Sequence, residues 1–382
     1  MSALDHADAC WILQVLPRGM RYGQSAATSI DLYVSEMATH SRFRVEVVAE
    51  CDGCPLPAAA VHALPRFAFA ETQRRARRIA SLTHALSPKA VVVQQHLPSA
   101  AALRARVVAP IILQKHNFLR VSRSAGWLHD ASHWRRTRQM NALAGLTFVS
   151  GAVLAQFERD WPEVEIPRRV VANGFDAKLW RPERERSTTV LVVGRVTPEK
   201  GLLEAAQALA VVLPRHPDWT TAFVVSEPER FPNYFAAIGA ALAPLGPQAQ
   251  LLVGRPYEEV KALNERAAIA LAPSVWREPF GRTCLEAHAG GAAVVSSGSG
   301  GLREISGEAA LYLEAVEPAR IAAAVETLIA DAPLRERLAA DGRARVERLF
   351  DVRRVAADLD DFAAEAIEKA NRRLAPVNPL AA

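Results

Sequence analysis

At 382 residues the chain is longer than a single hydrophobic core usually spans, so two domains are expected. Half the residues are hydrophobic, yet no uninterrupted apolar run reaches the ~18 residues of a membrane-spanning helix. The net charge of +5 is uneven, 23 Lys+Arg against 14 Asp+Glu in residues 1–182 and 23 against 27 after them, so the first half suits an anionic acceptor or a bilayer surface.

The opening stretch carries acids early and its apolar run is too short for a secretory signal, which predicts a cytoplasmic protein. "CWILQVLPR" reads as a first buried strand, and the loop "GMRYGQSAA" leads into a helix, "SIDLYVSEMATH". A glycine-containing loop at this place is where doubly wound folds bind ligands. "RVEVVAE" is a second strand. "CDGC" (Cys51 to Cys54) has metal-like spacing but no second ligand pair, leaving a redox pair or an ordinary loop.

"ETQRRARRIASLTHAL" is a helix on which Arg74, Arg75, Arg77 and Arg78 cluster, with Ile79, Leu82 and Leu86 at helical spacing and Phe67 and Phe69 just upstream. Such a helix lies on an anionic bilayer or packs on a sheet with a solvated outer face; both readings stand. No basic-aromatic nucleic-acid motif accompanies the charge. The strands "AVVVQQH" and "PIILQKH" end in His96 and His116, on the edge where α/β folds bind ligands, and His116 is a candidate positioning group. The basic, aromatic stretch from Asn117, with Trp127 and Trp134, lines an acceptor site or forms plain surface. The strand "LAGLTFVS", the helix "GAVLAQFERDW" and the strand "RRVVA" follow, then an Asn173-Gly174 turn and a charged linker opened by Pro182.

In the second half "TVLVVG" is a buried strand, "RVTPEKG" a turn and "LLEAAQALAVVL" an amphipathic helix. Arg195 just past the strand and Lys200 at the helix start converge, with the helix N-terminus, where a diphosphate would lie. Further strands and helices follow, with a turn at Gly254-Arg255-Pro256. "AAIALA" (Ala267 to Ala272) is a buried parallel strand ended by Pro273, and "EPFG" turns the chain into a helix from about Arg282 to Gly290-Gly291. Glu278 falls in the loop and Glu286 about one turn into the helix. Gly281 lets a ligand lie close to the backbone, and the N–H groups of Gly281, Arg282 and Thr283 lack intrahelical partners. Donors at a helix start favour phosphate, and carboxylates accept hydrogen bonds from sugar or ribose hydroxyls. A nucleotide-sugar needs both. "AAVVSSGSGGLREIS" repeats the strand, glycine-rich loop and helix start, and three further helices complete the chain. Asp358-Leu-Asp360 imitates a metal-binding DxD but sits in the terminal helix and is assigned to solvated surface.

"EPFGRTCLE" is similar to the E-x7-E signature of retaining glycosyltransferases of family 4, which have the GT-B fold. "GRVTPEKG" matches that family's "GRxxxxKG", and Gly300, Gly301 and Glu304 match its "GGxxE" loop. "NGFDAKLWRP" resembles its "NGxDxxxFxP" hinge, with Trp180 in place of Phe. The resemblance implies an α/β chain of two Rossmann-like doubly wound domains facing each other across a cleft. Residues 1–182 would bind the acceptor, 183–350 the nucleotide-sugar donor, and 351–382 would form a helix returning toward the first domain.

It also implies roles. Glu278 would hold donor-sugar hydroxyls, Glu286 the ribose, and Gly254 and Arg255 the base, with Phe280, Gly281, Arg282 and Thr283 completing the donor loop. His116 would lie near the donor sugar or acceptor. Gly23 would face the acceptor, although the family's usual double glycine is absent. The expected catalytic set is Arg195, Lys200, Glu278 and His116, with no metal and no other cofactor. The expected reaction moves a hexose or heptose from a nucleotide-diphosphate sugar to a cell-envelope glycan, lipopolysaccharide core or a related glycolipid, with peripheral contact to the inner face of the plasma membrane. Two alternatives remain: a soluble enzyme making a small glycoside or storage sugar, and a non-catalytic nucleotide-sugar-binding module.

Overall fold

The computed structural model describes residues 11–23, 28–51, 55–68, 71–121 and 127–374. The opening stretch, Cys54 and Phe69, all singled out above, lie outside these. The chain divides into two compact units, residues 1–174 with 352–382, and residues 175–351. The second unit begins at Phe175, ahead of the Pro182 linker.

The first unit runs β1 (Ile12–Val15), β2 (Arg21–Tyr22), α1 (Ser29–His40), β3 (Val45–Cys51), β4 (Ala60–Ala63), α2 (Thr72–Leu86), β5 (Ala90–Gln94), α3 (Leu97–Arg104), β6 (Ile111–Lys115), α4 (Trp127–Asn141), β7 (Gly145–Phe148), α5 (Gly151–Asp160) and β8 (Arg168–Val170). Its strands pair in parallel in the order β2-β3-β1-β5-β6-β7-β8, with β4 on β3. Every residue of β1, β5 and β6 is buried, as expected for parallel strands covered on both faces. α1 starts at a capping box: the Asp31 carboxylate accepts from the Thr28 N–H at 2.9 Å while Thr28 Oγ1 accepts from the Asp31 N–H. β2 and β4 are too short to show a period, and α3, eight residues long, has no side-chain cap to mark its start.

The second unit runs β9 (Ser187–Arg195), α6 (Leu202–Val212), β10 (Thr220–Ser226), α7 (Pro232–Leu242), β11 (Ala249–Val253), α8 (Tyr257–Arg266), β12 (Ala267–Ala272), α9 (Arg282–Ala289), β13 (Ala293–Ser296), α10 (Gly301–Ser306), β14 (Ala310–Tyr312), α11 (Pro318–Ala330) and α12 (Ala332–Phe350). Its parallel sheet has the order β11-β10-β9-β12-β13-β14. Val190, Val192, Ile269 and Leu271 meet Leu202, Ala205 and Leu209 of α6 on one face, and Leu191, Ala222 and Val224 line the other. Strand order reverses between β9 and β12, so the loops leaving their carboxyl ends flank a topological switch point, the usual ligand crevice of such a sheet. Trp180 is buried against Phe175, edge to face at 6.5 Å between centroids. Phe175 and Asp351, the unit's first and last residues, form a parallel bridge.

α13 (Val352–Leu374) belongs to the first unit. Its Val352, Val355, Ala356 and Leu359 cluster with Tyr33, Val34 and Met37 of α1, and Phe362 occupies the space a side chain at position 145 would need. This corrects the surface assignment for Asp360 of the DxD-like pair, while Asp358 is half-buried. Asp360 is 1% exposed and accepts from Ser41 Oγ at 2.7 Å and the Arg42 N–H at 2.8 Å, and burial raises its pKa. It lies one turn beyond Ala356, on the helix face that packs inward.

Candidate functional site

In the second unit the loops that follow β9 and β12 are fastened backbone to backbone. The Val275 N–H donates to the Glu199 carbonyl at 2.9 Å, and the Gly301 N–H to the Glu278 carbonyl at 2.9 Å, beside a Glu278–Gly300 bridge. A Cβ at Gly201 would run into the Pro273 carbonyl, and one at Gly300 into the Glu278 backbone. Three loops therefore interlock at distances that only glycine permits.

This framework brings Lys200 and Glu278 together. Lys200 sits in a 3-10 turn, Pro198–Lys200, with Gly201 at φ 66 between it and α6, rather than at the helix start itself. Its Nζ donates to Glu278 Oε1, and Ser274 Oγ donates to the same oxygen at 2.5 Å. Glu278 is only 4% exposed. The second carboxylate is held similarly: Glu286 Oε1 accepts from Arg282 Nε at 3.0 Å and from the Tyr257 hydroxyl at 3.1 Å. Arg195 ends β9 with its side chain exposed, its backbone paired to Ser226 of β10. Both buried carboxylates thus meet a cation and a hydroxyl.

Ser274 and Tyr257 were absent from the sequence candidates. Ser274, four residues before Glu278 in one loop, could have been found by asking what satisfies a buried carboxylate. Tyr257 opens a different helix, and no local pattern marks it.

Other residues expected to form a donor loop play packing parts. Gly281 has φ 107, and the Leu302 side chain fills the place its Cβ would take, with Ile305 close behind. The expectation that this glycine clears room for a ligand is corrected: α10 occupies that room. Phe280 is buried against Phe350, centroids 5.8 Å apart. Thr283 is half-buried in the first turn of α9. Gly254 follows β11 with φ 61, and Arg255 pairs loosely with Glu259 at 3.6 Å on the exposed face of α8.

The first unit holds the remaining candidates. His116 follows β6; its Nε2–H donates to Gln94 Oε1 at 2.6 Å, and its ring meets Tyr33 edge to face at 5.0 Å. Burial first, then the neighbouring Lys115, pushes its pKa down to about 3, so the ring is neutral at pH 7. His96 is the N-cap residue of α3, where its Nδ1 meets the Ser99 hydroxyl at 2.8 Å without capping a backbone N–H. Gly23 is buried in a bend after β2. On α2 the arginine cluster splits. Arg75 turns inward and donates to the Leu16 carbonyl at 2.7 Å, while Arg74, Arg77 and Arg78 stay exposed and line a groove of about 470 Å³ with Pro65, Phe67 and Ser81.

Behind α9, Cys284 Sγ and His288 Nε2 both meet Ser306 Oγ, at 3.3 and 2.8 Å. Gly342, inside α12, faces His288 Nδ1 too closely to admit a Cβ. Burial, helped by Arg345, pushes the His288 pKa from 6.5 down to about 3. Above pH 6.5 folded and unfolded chains both keep this ring neutral. Below it only the unfolded chain takes up the proton, so stability falls by up to about 1.4 kcal/mol per pH unit until pH nears 3. His288→Gln should therefore make the urea midpoint less steep in pH between 6.5 and 4.5, and a profile parallel to the unmodified chain would refute that assignment.

Residues 178–345 match the family model "Glycosyl transferases group 1". The chain is 34% identical over 194 residues to glycogen synthase of Mycobacterium tuberculosis (strain ATCC 25618 / H37Rv), covering 49% of this chain and 46% of that protein. It is 26% identical over 196 residues to the lipopolysaccharide core biosynthesis mannosyltransferase LpcC of Rhizobium leguminosarum bv. viciae, 48% of this chain and 55% of that one. The chain spans about half the length of the curated relatives it matches. Among solved structures it resembles Anabaena Alr3699/HepE in complex with UDP-glucose, with a TM-score of 0.72 at 17% identity over 94% of this chain and 99% of that one. At that identity the likeness shows the fold, two Rossmann-like α/β units of the GT-B type.

Proposed function

We propose that this chain is a retaining glycosyltransferase that moves a hexose or heptose from a nucleotide-diphosphate sugar to a cell-envelope glycan, such as lipopolysaccharide core or a related glycolipid. The observation that carries the reading is the meeting of Lys200 and Glu278 at the switch point between β9 and β12. A phosphate-binding cation and a hydroxyl-binding carboxylate then stand side by side, as a donor with a sugar next to its diphosphate requires. The group 1 match over residues 178–345 supports it independently.

On this reading the sugar's C1–O bond to the diphosphate breaks as an acceptor hydroxyl oxygen bonds to C1 from the leaving-group face, the hydroxyl proton passing to the departing phosphate oxygen while the diphosphate gains negative charge. Lys200, Arg195 and the first N–H groups of α9 stabilise that charge, work that a metal ion does in other transferases and that here falls to side chains and backbone. Glu278 fixes the sugar, Glu286 the ribose, and His116, its Nε2–H spent on Gln94, positions sugar or acceptor through the accepting Nδ1 of its neutral ring. The exposed arginines of α2 suit an anionic lipid or glycan phosphate, which supports placement on the inner face of the plasma membrane. Among the described residues no helix is long and apolar enough to cross a membrane.

The likeness to a glycogen synthase favours a second reading, transfer to a soluble storage glucan. Partition of the protein between anionic vesicles and buffer separates the two. Calorimetric titration with UDP-, GDP- and ADP-sugars tests the donor assignment, and binding of none of them would end it. Glu286→Ala should weaken the donor that binds by about tenfold or more, the worth of a hydrogen bond to a charged group. Unchanged affinity would remove Glu286 from the ribose site.

A further inference from the structure

Lys200 does not stand ready for a phosphate; it is engaged by Glu278, on the oxygen that Ser274 also serves. The pair is poorly solvated, with side-chain exposures of 19% for Lys200 and 6% for Glu278. A diphosphate arriving alone must draw the ammonium toward itself. Glu278 is then a buried carboxylate whose remaining donor in this loop is one serine hydroxyl, and a buried charge short of partners is costly. A diphosphate that carries a sugar brings its own remedy, because sugar hydroxyls can donate to Glu278 as Lys200 turns away.

Resting on the donor reading above, we infer that Glu278 is an internal competitor for Lys200. It weakens the hold on bare nucleoside diphosphates and gives way only to a ligand that supplies hydroxyls in exchange. The site thereby selects intact nucleotide-sugar over its own diphosphate product. Once the sugar has moved to the acceptor, Glu278 recovers Lys200 and the diphosphate is released. The same carboxylate serves as sugar ligand in one half of the cycle and as expelling counter-ion in the other.

The test is calorimetric binding of UDP, GDP and ADP, and of the corresponding glucose conjugates, to the full chain and to Glu278→Gln, Lys200→Met and the double variant. Glutamine keeps the shape and the Ser274 hydrogen bond but removes the charge. Glu278→Gln should bind the preferred diphosphate about tenfold tighter while gaining nothing for the sugar conjugate, and the gain should vanish in the Lys200→Met background. Diphosphate binding unchanged or weakened by Glu278→Gln overturns the inference. So does a gain that survives without Lys200, which would mark simple repulsion between carboxylate and phosphate. Ser274→Ala gives a second handle should the glutamine variant fold poorly. By leaving Glu278 more dependent on Lys200 it should weaken the diphosphate more than the sugar conjugate, and equal weakening of both counts against competition. If neither diphosphates nor conjugates bind any variant or the unmodified chain, the donor reading itself fails and takes this inference with it.

Discussion

Lys200→Ala is expected to lower turnover by a factor on the order of 10²–10³ while the protein remains folded. The loss belongs mainly to kcat, because the charge Lys200 stabilises grows as the leaving diphosphate separates and is greatest in the transition state. The fold should survive at a lowered melting temperature: Glu278 left with Ser274 alone is a cost, but the surrounding loops are held by backbone bonds that do not involve the lysine side chain. Glucosyl transfer or donor hydrolysis, measured beside a thermal melt, checks both halves. Full activity in this variant would contradict the mechanism outright.

Gly300→Ala should cost both stability and activity. Gly300 adopts φ 62, ψ −127, a region closed to residues with a Cβ, and a Cβ there would strike the backbone of Glu278. The conformational penalty alone is about 1–3 kcal/mol. The backbone that must yield carries the carboxylate that meets Lys200, and a displacement of about 1 Å at such a group can lower turnover about 10²-fold. Gly246 offers the control. Its φ 52, ψ −122 are nearly the same, but nothing lies within 4 Å of its Cβ position. Gly246→Ala should show the backbone penalty in a melt and leave turnover intact. If the two variants behave alike, the interlocked loops are not what places Glu278.

What the sequence revealed and what it withheld divide along a physical line. "AAIALA" coincides with β12, "SIDLYVSEMATH" with α1, and the helix expected from about Arg282 is α9. In each case a local rule decides: a continuous apolar run for a buried parallel strand, apolar residues at helical spacing, or a strand ended by proline. Glycines and charges at fixed offsets likewise located the loops around Lys200 and Glu278. The failures concern which way a residue faces once a neighbour distant in sequence packs on it. Arg75 sits among outward-facing arginines yet points at Leu16; Asp360 looks like a solvated acid until α13 meets Ser41; Gly281 reads as ligand clearance until Leu302 fills it. Tyr257 reaches Glu286 from another helix altogether. None of these partners lies within the turn or strand that local pattern can see.

The Phe175–Asp351 bridge has a consequence for biosynthesis. The second unit both starts and stops at one spot, so it is an uninterrupted insertion that the ribosome completes before α13, the last element of the first unit, has been translated. Vectorial synthesis should therefore deliver a finished second unit while β1–β8 still wait for the helix that closes their core.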